Sequence, residues 1–512
     1  MAITPLATPA QALAFVRAHG CTALLADSRR VQPGQAFVAW PGQARDGRGF
    51  VAQALAAGAC ACLVEAEGVE AFGLHDARIA ALRGLRAAAG PIASAFHGEP
   101  SRQLEVLAVT GTNGKTSCAW FLAQALTQLG RRAGVIGTLG MGEPGGVLQA
   151  SGLTTPDPLT LQAALADFVA RGLAACAIEA SSIGLEQQRL AGTRIAVAMF
   201  SNFTRDHLDV HGDMAAYWAA KRALFDWPGL RAAVVNVDDA QGQRLADELQ
   251  QRAGLALWTV SRQSPARLVA RGLRHDGGGL AFELVEGTGA DERSVTVQSA
   301  LVGDYNADNL LLVAAALRAL GFALADLGAV LAQLRPVPGR LERADGGRAD
   351  EPLVLVDYAH TPDALEQVLR ALRPLAQARG GRLWCVFGCG GNRDASKRPL
   401  MGAIAERLAD EVVLTSDNPR DESPALILAQ ILAGMHEVAA HAVPAVIEER
   451  AEAIADAVQR AAPADVVLLA GKGHEAEQEI AGVKRPFSDL AVARAALRSR
   501  ATAPDGAKEG GA

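Results

Sequence analysis

The chain has 512 residues, which at roughly 150 residues per domain corresponds to about three domains. Lys and Arg number 49 against 55 Asp and Glu, and a formal net charge of −6 argues against a general nucleic-acid binder, which would be basic. Half of the residues are apolar and 20% are charged, so large cores can form, and no apolar run reaches the roughly 18 residues of a transmembrane helix.

Residues 1–100 form a first block. Met1–Ala10 has neither a basic start nor a long apolar run, so no signal peptide is expected. Short apolar runs at Thr22–Ala26, Ala36–Trp40 and Ala59–Val64 read as strands, with turn signals at Pro33-Gly34 and Pro41-Gly42. The second block, 101–337, opens on a buried strand, Leu104–Thr110, that leads through a glycine-rich loop into a helical pattern, Thr116–Leu129. Strand-like runs recur at Ala133–Ile136, Ala174–Glu179, Ile195–Phe200 and Ala232–Val237, with helical stretches between most of them; Gly137–Gly142 reads as a loop. Such alternation predicts a parallel sheet with helices on both faces. A Pro/Gly hinge, Arg335–Gly339, opens the third block, 338–502, with strands at Leu353–Asp357, Leu383–Phe387, Glu411–Thr415 and Val466–Ala470. The tail, 503–512, is small, polar and Gly-rich, and disorder is expected there. The fold class is thus α/β in three domains: a central parallel-sheet domain whose glycine-rich loop follows its first strand, as in P-loop ATPase domains, between an N-terminal α/β domain and a C-terminal Rossmann-like α/β domain.

The seven cysteines, Cys21, Cys60, Cys62, Cys118, Cys176, Cys385 and Cys389, are scattered, odd in number and mostly in apolar runs. That pattern predicts a reduced, cytoplasmic protein. The pairs Cys60/Cys62 and Cys385/Cys389 lack further His or Cys at zinc-site spacing.

Chemistry concentrates after the first central strand. Gly111-Thr112-Asn113-Gly114-Lys115-Thr116-Ser117 is a shortened phosphate loop, since the glycine expected five residues before Gly114 is Val109. Its backbone N–H groups and the following helix start suit phosphate oxygens; Lys115 adds a point charge, and the Thr116 hydroxyl can ligate Mg²⁺. The strand Ala174–Ile178 ends at Glu179, and the strand Ile195–Phe200 leads to Asp206 and His207. Carboxylate and imidazole at the C-terminal ends of parallel strands face the ligand crevice, where they can hold a metal ion beside phosphates. Tyr217–Phe225 reads as a helix on which Lys221 is open to two readings, a solvated lysine or a functional one.

Together, Gly111–Thr116, Thr154-Thr155-Pro156, Glu179–Ser182, Asn202–Gly212 and Tyr217–Phe225 resemble the Mur ligase family, which builds the cell-wall peptide on a UDP-sugar. The third block adds Gly339–Glu342, Asp357–Pro362, Gly390–Asp394, Asp417–Arg420 and Gly471–Glu475, and the resemblance covers nearly the whole chain. It points to the members that add the third residue to UDP-N-acetylmuramoyl-L-alanyl-D-glutamate, and Asp417-Asn418-Pro419-Arg420 matches the type that adds meso-2,6-diaminopimelate. A lysine-adding member, a folylpolyglutamate synthetase-like ligase and a non-catalytic nucleotide-binding homologue are the alternatives.

The resemblance implies an ATP- and Mg²⁺-dependent ligase working through an acyl phosphate. It implies catalytic roles for Lys115, Glu179, His207 and Lys221, with Thr116, Glu179, His207 and carbamylated Lys221 around the metal. Nucleotide contacts fall on Gly111–Ser117, Asn306, Asn309, Arg340 and Asp357. The UDP-sugar peptide falls on Ser28, Gln43, Ala44, Arg45, Thr154, Thr155, Ser181, Gln187 and Arg189. The amino acid falls on Arg393, Asp417, Asn418, Pro419, Arg420, Gly471 and Glu475. Arginine suits this last task because a planar guanidinium pairs bidentately with the distal carboxylate that lysine lacks. Two departures stand out: Asp421, an acid next to Arg420, and Glu477, where the family often has an aromatic. Neither nucleic acid nor a membrane is expected as partner, and a monomer is expected.

Overall fold

The computed structural model describes residues 3–42, 45–204, 206, 208–276, 279–344, 346–435 and 444–502. The chain divides into two compact units, one formed by Met1–Ala270, Leu284–Val295 and Asp308–Val330, the other by Arg271–Glu283, Thr296–Ala307 and Leu331–Ala512. Among the described residues no helix is long and apolar enough to cross a membrane.

The first unit holds two sheets. Strands β1 (Thr4–Leu6), β2 (Leu24–Leu25), β3 (Ala36–Ala39), β4 (Ala61–Glu65) and β5 (Ile79–Leu82) pair in parallel in the order β1-β5-β4-β3-β2. The two-residue period of a strand sends alternate side chains to opposite faces. Ala36, Val38, Ala61 and Leu63 join one core; Phe37, Ala39, Cys62 and Val64 join another. Because both faces are covered, these strands read as continuous apolar runs. Glu65, at the end of β4, accepts the Gly84 and Leu85 N–H groups (3.0 and 2.8 Å) and so caps the helix Leu85–Phe96.

The central sheet of this unit runs β12 (Ala256–Ser261), β11 (Ala232–Asn236), β10 (Val197–Phe200), β6 (Glu105–Thr110), β9 (Ala175–Glu179), β7 (Ala133–Gly137) and β8 (Gly140–Gly142). All are parallel except β8, which pairs antiparallel with β7. The Gly137–Gly142 segment is therefore a hairpin and not the expected loop; Gly140 takes φ +127°, which permits the tight return. Val106, Ala108, Ile178, Phe200 and Val235 meet Leu161, Leu165 and Phe168 of the helix Pro158–Ala170 in one core. Each such fully buried Leu, Ile or Phe contributes about 1.5–3 kcal/mol. The helix Lys115–Gln128 packs on β7 and β9. The chain then enters β13 (Leu268–Asp276), β14 (Gly279–Glu286) and β15 (Arg293–Ser299), none of them expected from the sequence, through which the division between the units passes.

The second unit is built on β16 (Glu342–Arg343), β17 (Leu353–Asp357), β18 (Leu383–Phe387), β19 (Glu411–Leu414), β20 (Ala445–Val446) and β21 (Val466–Ala470), in the order β16-β17-β21-β18-β19-β20. Only β16 is antiparallel to its neighbour. Leu355, Leu468 and Phe387 face one core, Val356, Leu469 and Trp384 the other. A surface hairpin, β22 (Glu477–Ile480) with β23 (Val483–Pro486), follows. All seven cysteines are free, and burial pushes the Cys62 and Cys389 thiols up to about 12, far from a ready nucleophile. The tail, 503–512, lies outside the described residues.

Candidate active site

Strand register brings the key residues of the first unit to one edge. Val109 stands opposite Glu179, and Thr110 opposite Phe200, so the phosphate loop, the carboxylate and the 201–204 segment all leave from the C-terminal ends of adjacent strands. Gly111 and Gly114 take φ +147° and +83°. A Cβ on Gly111 would lie 2.0 Å from Ser201 Oγ, and one on Gly114 2.5 Å from Asn309 Oδ1. Gly114→Ala is therefore expected to weaken nucleotide binding at least about tenfold, as the loop must shift to relieve clash and strain. Titration with a non-hydrolysable ATP analogue measures it, and an unchanged affinity rejects this account of the loop.

The loop is clasped from the β10 side. Thr112 and Asn113 donate their N–H groups to Asn202 O (2.8 Å) and Asn202 Oδ1 (2.9 Å). Ser201 Oγ donates to Asn113 O (2.5 Å), and Thr112 Oγ1 to Thr204 O (3.1 Å). Lys115 Nζ folds over the loop to Gly111 O (2.9 Å) and Thr112 O (2.7 Å), and Ser117 occupies the first turn of the helix.

Glu179 is buried and accepts three donors: Thr116 Oγ1 (2.9 Å), Thr138 N (2.8 Å) and Thr138 Oγ1 (3.2 Å). Burial pushes its carboxyl up, opposed by the Thr138 N–H and the Lys115 charge. A Cβ on Gly137 would lie 2.1 Å from Glu179 Oε1, so β7 needs glycine where the carboxylate passes. Sequence reasoning missed Thr138; its signal was the position just past the C-terminal end of a strand in the same crevice.

Lys221, on the helix Met214–Arg222, is not a solvated lysine: it is 1% exposed. Its Nζ donates to Gly111 O (2.6 Å) and lies 4.4 Å from the centre of the Tyr217 ring. Burial first, then the nearby Lys115 charge, push its pKa down to about 6, against the pull of Asp206. Burial thus favours the unprotonated amine far more than in a free lysine. Tyr217, also buried, shares a 3.2 Å hydrogen bond with Thr112 Oγ1. His207 lies outside the described residues, as do Gln43 and Ala44. A second histidine of the same segment, His211, bonds Ser182 Oγ through Nε2 (2.9 Å) and faces Glu186 through Nδ1 (3.1 Å).

Oxygen donors of the class that Mg²⁺ takes, the Thr116 hydroxyl and the Glu179 carboxylate, are thus in contact at the loop. Among the described residues no group of three or more His, Cys, Asp and Glu is gathered around one point.

The expected sugar-peptide residues of the central block form one network. Thr155 Oγ1 donates to Glu179 O (2.7 Å), accepts from Ser181 N (3.0 Å) and contacts Ser181 Oγ (2.9 Å). Thr154 Oγ1 reaches Thr138 Oγ1 (3.1 Å). Arg189 donates to Thr155 O (2.7 Å) and to Gln187 Oε1 (3.1 and 2.7 Å). Farther back, Ser28 is buried and contacts Gln53 Oε1 (3.2 Å), while Arg45 is exposed and its carbonyl accepts the Gly42 N–H (2.9 Å). Asn309 is buried beside Cys118 Sγ (3.3 Å from Oδ1).

The second unit assembles a separate cluster, again at the C-terminal ends of its strands. Asp357, ending β17, accepts the Leu341 and Ala359 N–H groups (2.9 and 2.8 Å), and Arg340 lies over the Tyr358 ring at 4.9 Å. Asn306 is buried and donates to Val302 O (2.7 Å). Arg420, at φ +52°, donates to Gly391 O (2.7 Å) and faces Glu479 at 3.7 Å. A Cβ on Gly390 would lie 3.0 Å from Arg420 Nη1 and 3.8 Å from Arg393 Cγ, so both arginines border the Gly390–Gly391 turn. Pro419 O would meet a Cβ on Gly391 at 1.9 Å, and Asp417 Oδ2 one on Gly471 at 2.6 Å. Asn418 donates to Glu475 Oε2 (2.8 Å).

Three supports of this cluster were not anticipated. Lys472, fully buried, ties Asn418 Oδ1 (3.1 Å), Glu475 Oε2 (3.0 Å) and Glu477 O (2.8 Å). Arg450 makes a buried bidentate pair with Asp489 and donates to Ala470 O (3.0 Å), just before Gly471. Arg398 binds Glu422 and Gly390 O. The two departures find local partners: Asp421 accepts from Asn392 (2.8 Å), and Glu477 pairs with Lys484 (3.0 Å) on the surface.

A strand, glycine loop and helix carrying Lys115 and Thr116, with Glu179 and Lys221 converging on it, define an α/β protein of the phosphate-loop class. Family models match in three consecutive segments: "Mur ligase family, catalytic domain" over residues 21–96, "Mur ligase middle domain" over 109–317 and "Mur ligase, glutamate ligase domain" over 339–473. A relative from Acidovorax sp. (strain JS42), named UDP-N-acetylmuramoyl-L-alanyl-D-glutamate–2,6-diaminopimelate ligase, is 58% identical over 98% of this chain and 99% of its own length. The Pseudomonas aeruginosa protein of the same name is 51% identical over 93% and 94%. A solved structure of a ligase of that name aligns with TM-score 0.69 at 37% identity, covering 94% of this chain and 96% of that one. The chain belongs to the Mur ligase family.

Proposed function

We propose that this protein is the ATP-dependent ligase that joins meso-2,6-diaminopimelate to UDP-N-acetylmuramoyl-L-alanyl-D-glutamate, in the cytoplasm, during cell-wall peptide synthesis. The observation that carries the reading is the convergence of Lys115, Thr116, Glu179 and the buried Lys221 amine on one phosphate loop. The 58% identity to a relative named for that reaction supports the choice of substrates.

The glutamyl carboxylate attacks the γ-phosphorus of ATP, giving an acyl phosphate and ADP. The amine of diaminopimelate then attacks the acyl carbon, and the tetrahedral intermediate expels phosphate. A carboxylate and a triphosphate repel each other, so the first step needs positive charge fixed in advance. Lys115 leaves its loop carbonyls for the phosphates, joined by the N–H groups at the start of the helix Lys115–Gln128, since those of Thr112 and Asn113 are held by Asn202. Thr116, Glu179, His207 and Lys221 as its carbamate would hold Mg²⁺, which supplies charge neutralisation at the phosphates. Carbamylation requires an unprotonated amine, which the burial of Lys221 provides. Arg189 and the Thr154, Thr155 and Ser181 hydroxyls hold the sugar peptide, with Ser28 and Gln43–Arg45 on the uridine diphosphate. Arg393 and Arg420 take carboxylates of the incoming amino acid, and Asp417, Asn418 and Glu475 its distal ammonium. Asn306, Asn309, Arg340 and Asp357 are assigned to the nucleotide.

Phosphate release from ATP, measured with the UDP-sugar dipeptide and each candidate amino acid, tests the reading. Release is expected with meso-diaminopimelate and at least about a hundredfold less kcat/KM with lysine, since a site built for a carboxylate leaves its guanidinium unpaired without one. If no candidate amino acid supports phosphate release, the ligase reading is rejected; a preference for lysine rejects the amino-acid assignment.

A further inference from the structure

At the end of the central sheet opposite the phosphate loop lies a cavity of about 410 Å³. Its walls include Ser101, Arg102, Glu105, Arg131, Arg194 and Arg231, with backbone where β6, β9 and β10 begin. Glu105 starts β6 and Thr110 ends it, so at about 3.3 Å per residue some 17 Å of strand separates the cavity from the loop. None of the proposed substrate contacts lies here.

Four guanidinium groups face one carboxylate across this space, in a chain whose net charge is −6. Arg231 pairs with Glu105, and Arg102 with Glu99 at 3.1 Å. The other two have no acidic partner among the described residues. Arg131 lies 4.8 Å over the Phe322 ring, a contact that fixes the group without neutralising it. Arg194 follows a backbone anchored by its own N–H to Ser101 Oγ (2.9 Å). Like charges gathered in one concave site reinforce each other's field, and guanidinium forks match phosphate oxygens in pairs. The volume lies within the range of small-ligand pockets.

We propose that this cavity is a second anion site, which takes a small, multiply charged phosphate chain, held by Arg131 and Arg194 and flanked by Arg102 and Arg231. The source of the chain is either an inorganic polyphosphate or a nucleotide, and the two share this chemistry.

The test uses the full chain with its phosphate loop saturated by a non-hydrolysable ATP analogue, titrated calorimetrically with inorganic tripolyphosphate and, separately, with CTP. One additional binding event per chain is expected, weakening as salt rises. It should weaken at least about tenfold in Arg131→Ala/Arg194→Ala, whose ligase activity stays near that of the unchanged protein, and persist in Lys115→Ala. Arg194→Gln alone, at an exposed position, should give a smaller loss and serves if the double variant folds poorly. Tighter binding of CTP points to a nucleotide, equal or tighter binding of tripolyphosphate to the inorganic chain. No event in the unchanged protein, an event indifferent to the arginine substitutions, or one abolished by Lys115→Ala overturns the proposal.

Discussion

Lys221→Ala is expected to lower kcat by on the order of a thousandfold, and formate or acetate to restore part of it. The expectation follows from where the amine sits. It is buried against Gly111 O and the Tyr217 ring, with the Lys115 charge nearby and no room for a hydration shell. As a cation it would be costly there; as a carbamate it becomes an anion at the mouth of the loop, where charge stabilisation at the phosphates is worth most. Truncation leaves a space that a small carboxylate can enter. If no small carboxylate recovers activity at any concentration, the lysine acts in another form. Stability gives an independent readout. The unfolded chain takes up this proton near 10.5, the folded chain only near 6, so between those values the unfolded state binds more protons and this group makes stability rise with pH. In CO₂-free buffer, Lys221→Met should therefore be more stable than the unchanged protein. The excess should be greatest below pH 6 and fade toward pH 10.5; an excess independent of pH contradicts the depressed pKa.

The parts of this site that could be read from the sequence are those where one local pattern carries one task. The strand Glu105–Thr110, its glycine loop and Lys115-Thr116 are contiguous, so their juxtaposition is local geometry. Glu179 was legible because a carboxylate ending an apolar run must reach a strand's C-terminal edge. Lys221 was not decidable, because its burial depends on Gly111, 110 residues away in sequence, and Tyr217 one helical turn back does not by itself bury it. Thr138 was lost with β8: three residues, two of them glycine, carry no strand signal, and only pairing with β7 makes the hairpin. Likewise, no local pattern marks Lys472 or the Arg450–Asp489 pair as buried; they are struts only because β19, β21 and the last helix come together. Strands β1 and β5 were missed for a different reason: each is three or four residues long and pairs with the other across nearly the whole first block.

Arg420→Ala is expected to raise KM for diaminopimelate by about 30- to 5,000-fold, the range for truncating one partner of a buried charge pair, while KM for ATP changes less than about twofold. Arg420 is held for this purpose by unusual means. Its φ of +52° is strained for a side-chain-bearing residue, and its backbone is clamped on both sides, N–H to Glu479 O (3.1 Å) and carbonyl to Ala481 N (2.7 Å). The guanidinium rests on Gly391 O and is only loosely paired with Glu479, at 3.7 Å, so a substrate carboxylate can take its remaining donors. Asp421, the acid next to Arg420 in sequence, is engaged by Asn392. Strain and recognition can be separated: Arg420→Gly removes the guanidinium and suits the positive φ, so it should lose diaminopimelate as Arg420→Ala does if recognition is the cause. Retained affinity in the glycine variant places the effect in the backbone instead. Equal rises in both Michaelis constants would mark a general loss of structure. Because lysine has no distal carboxylate to lose, its own poor turnover should hardly change in Arg420→Ala, and the preference between the two amino acids should shrink by the same factor as the diaminopimelate KM rises.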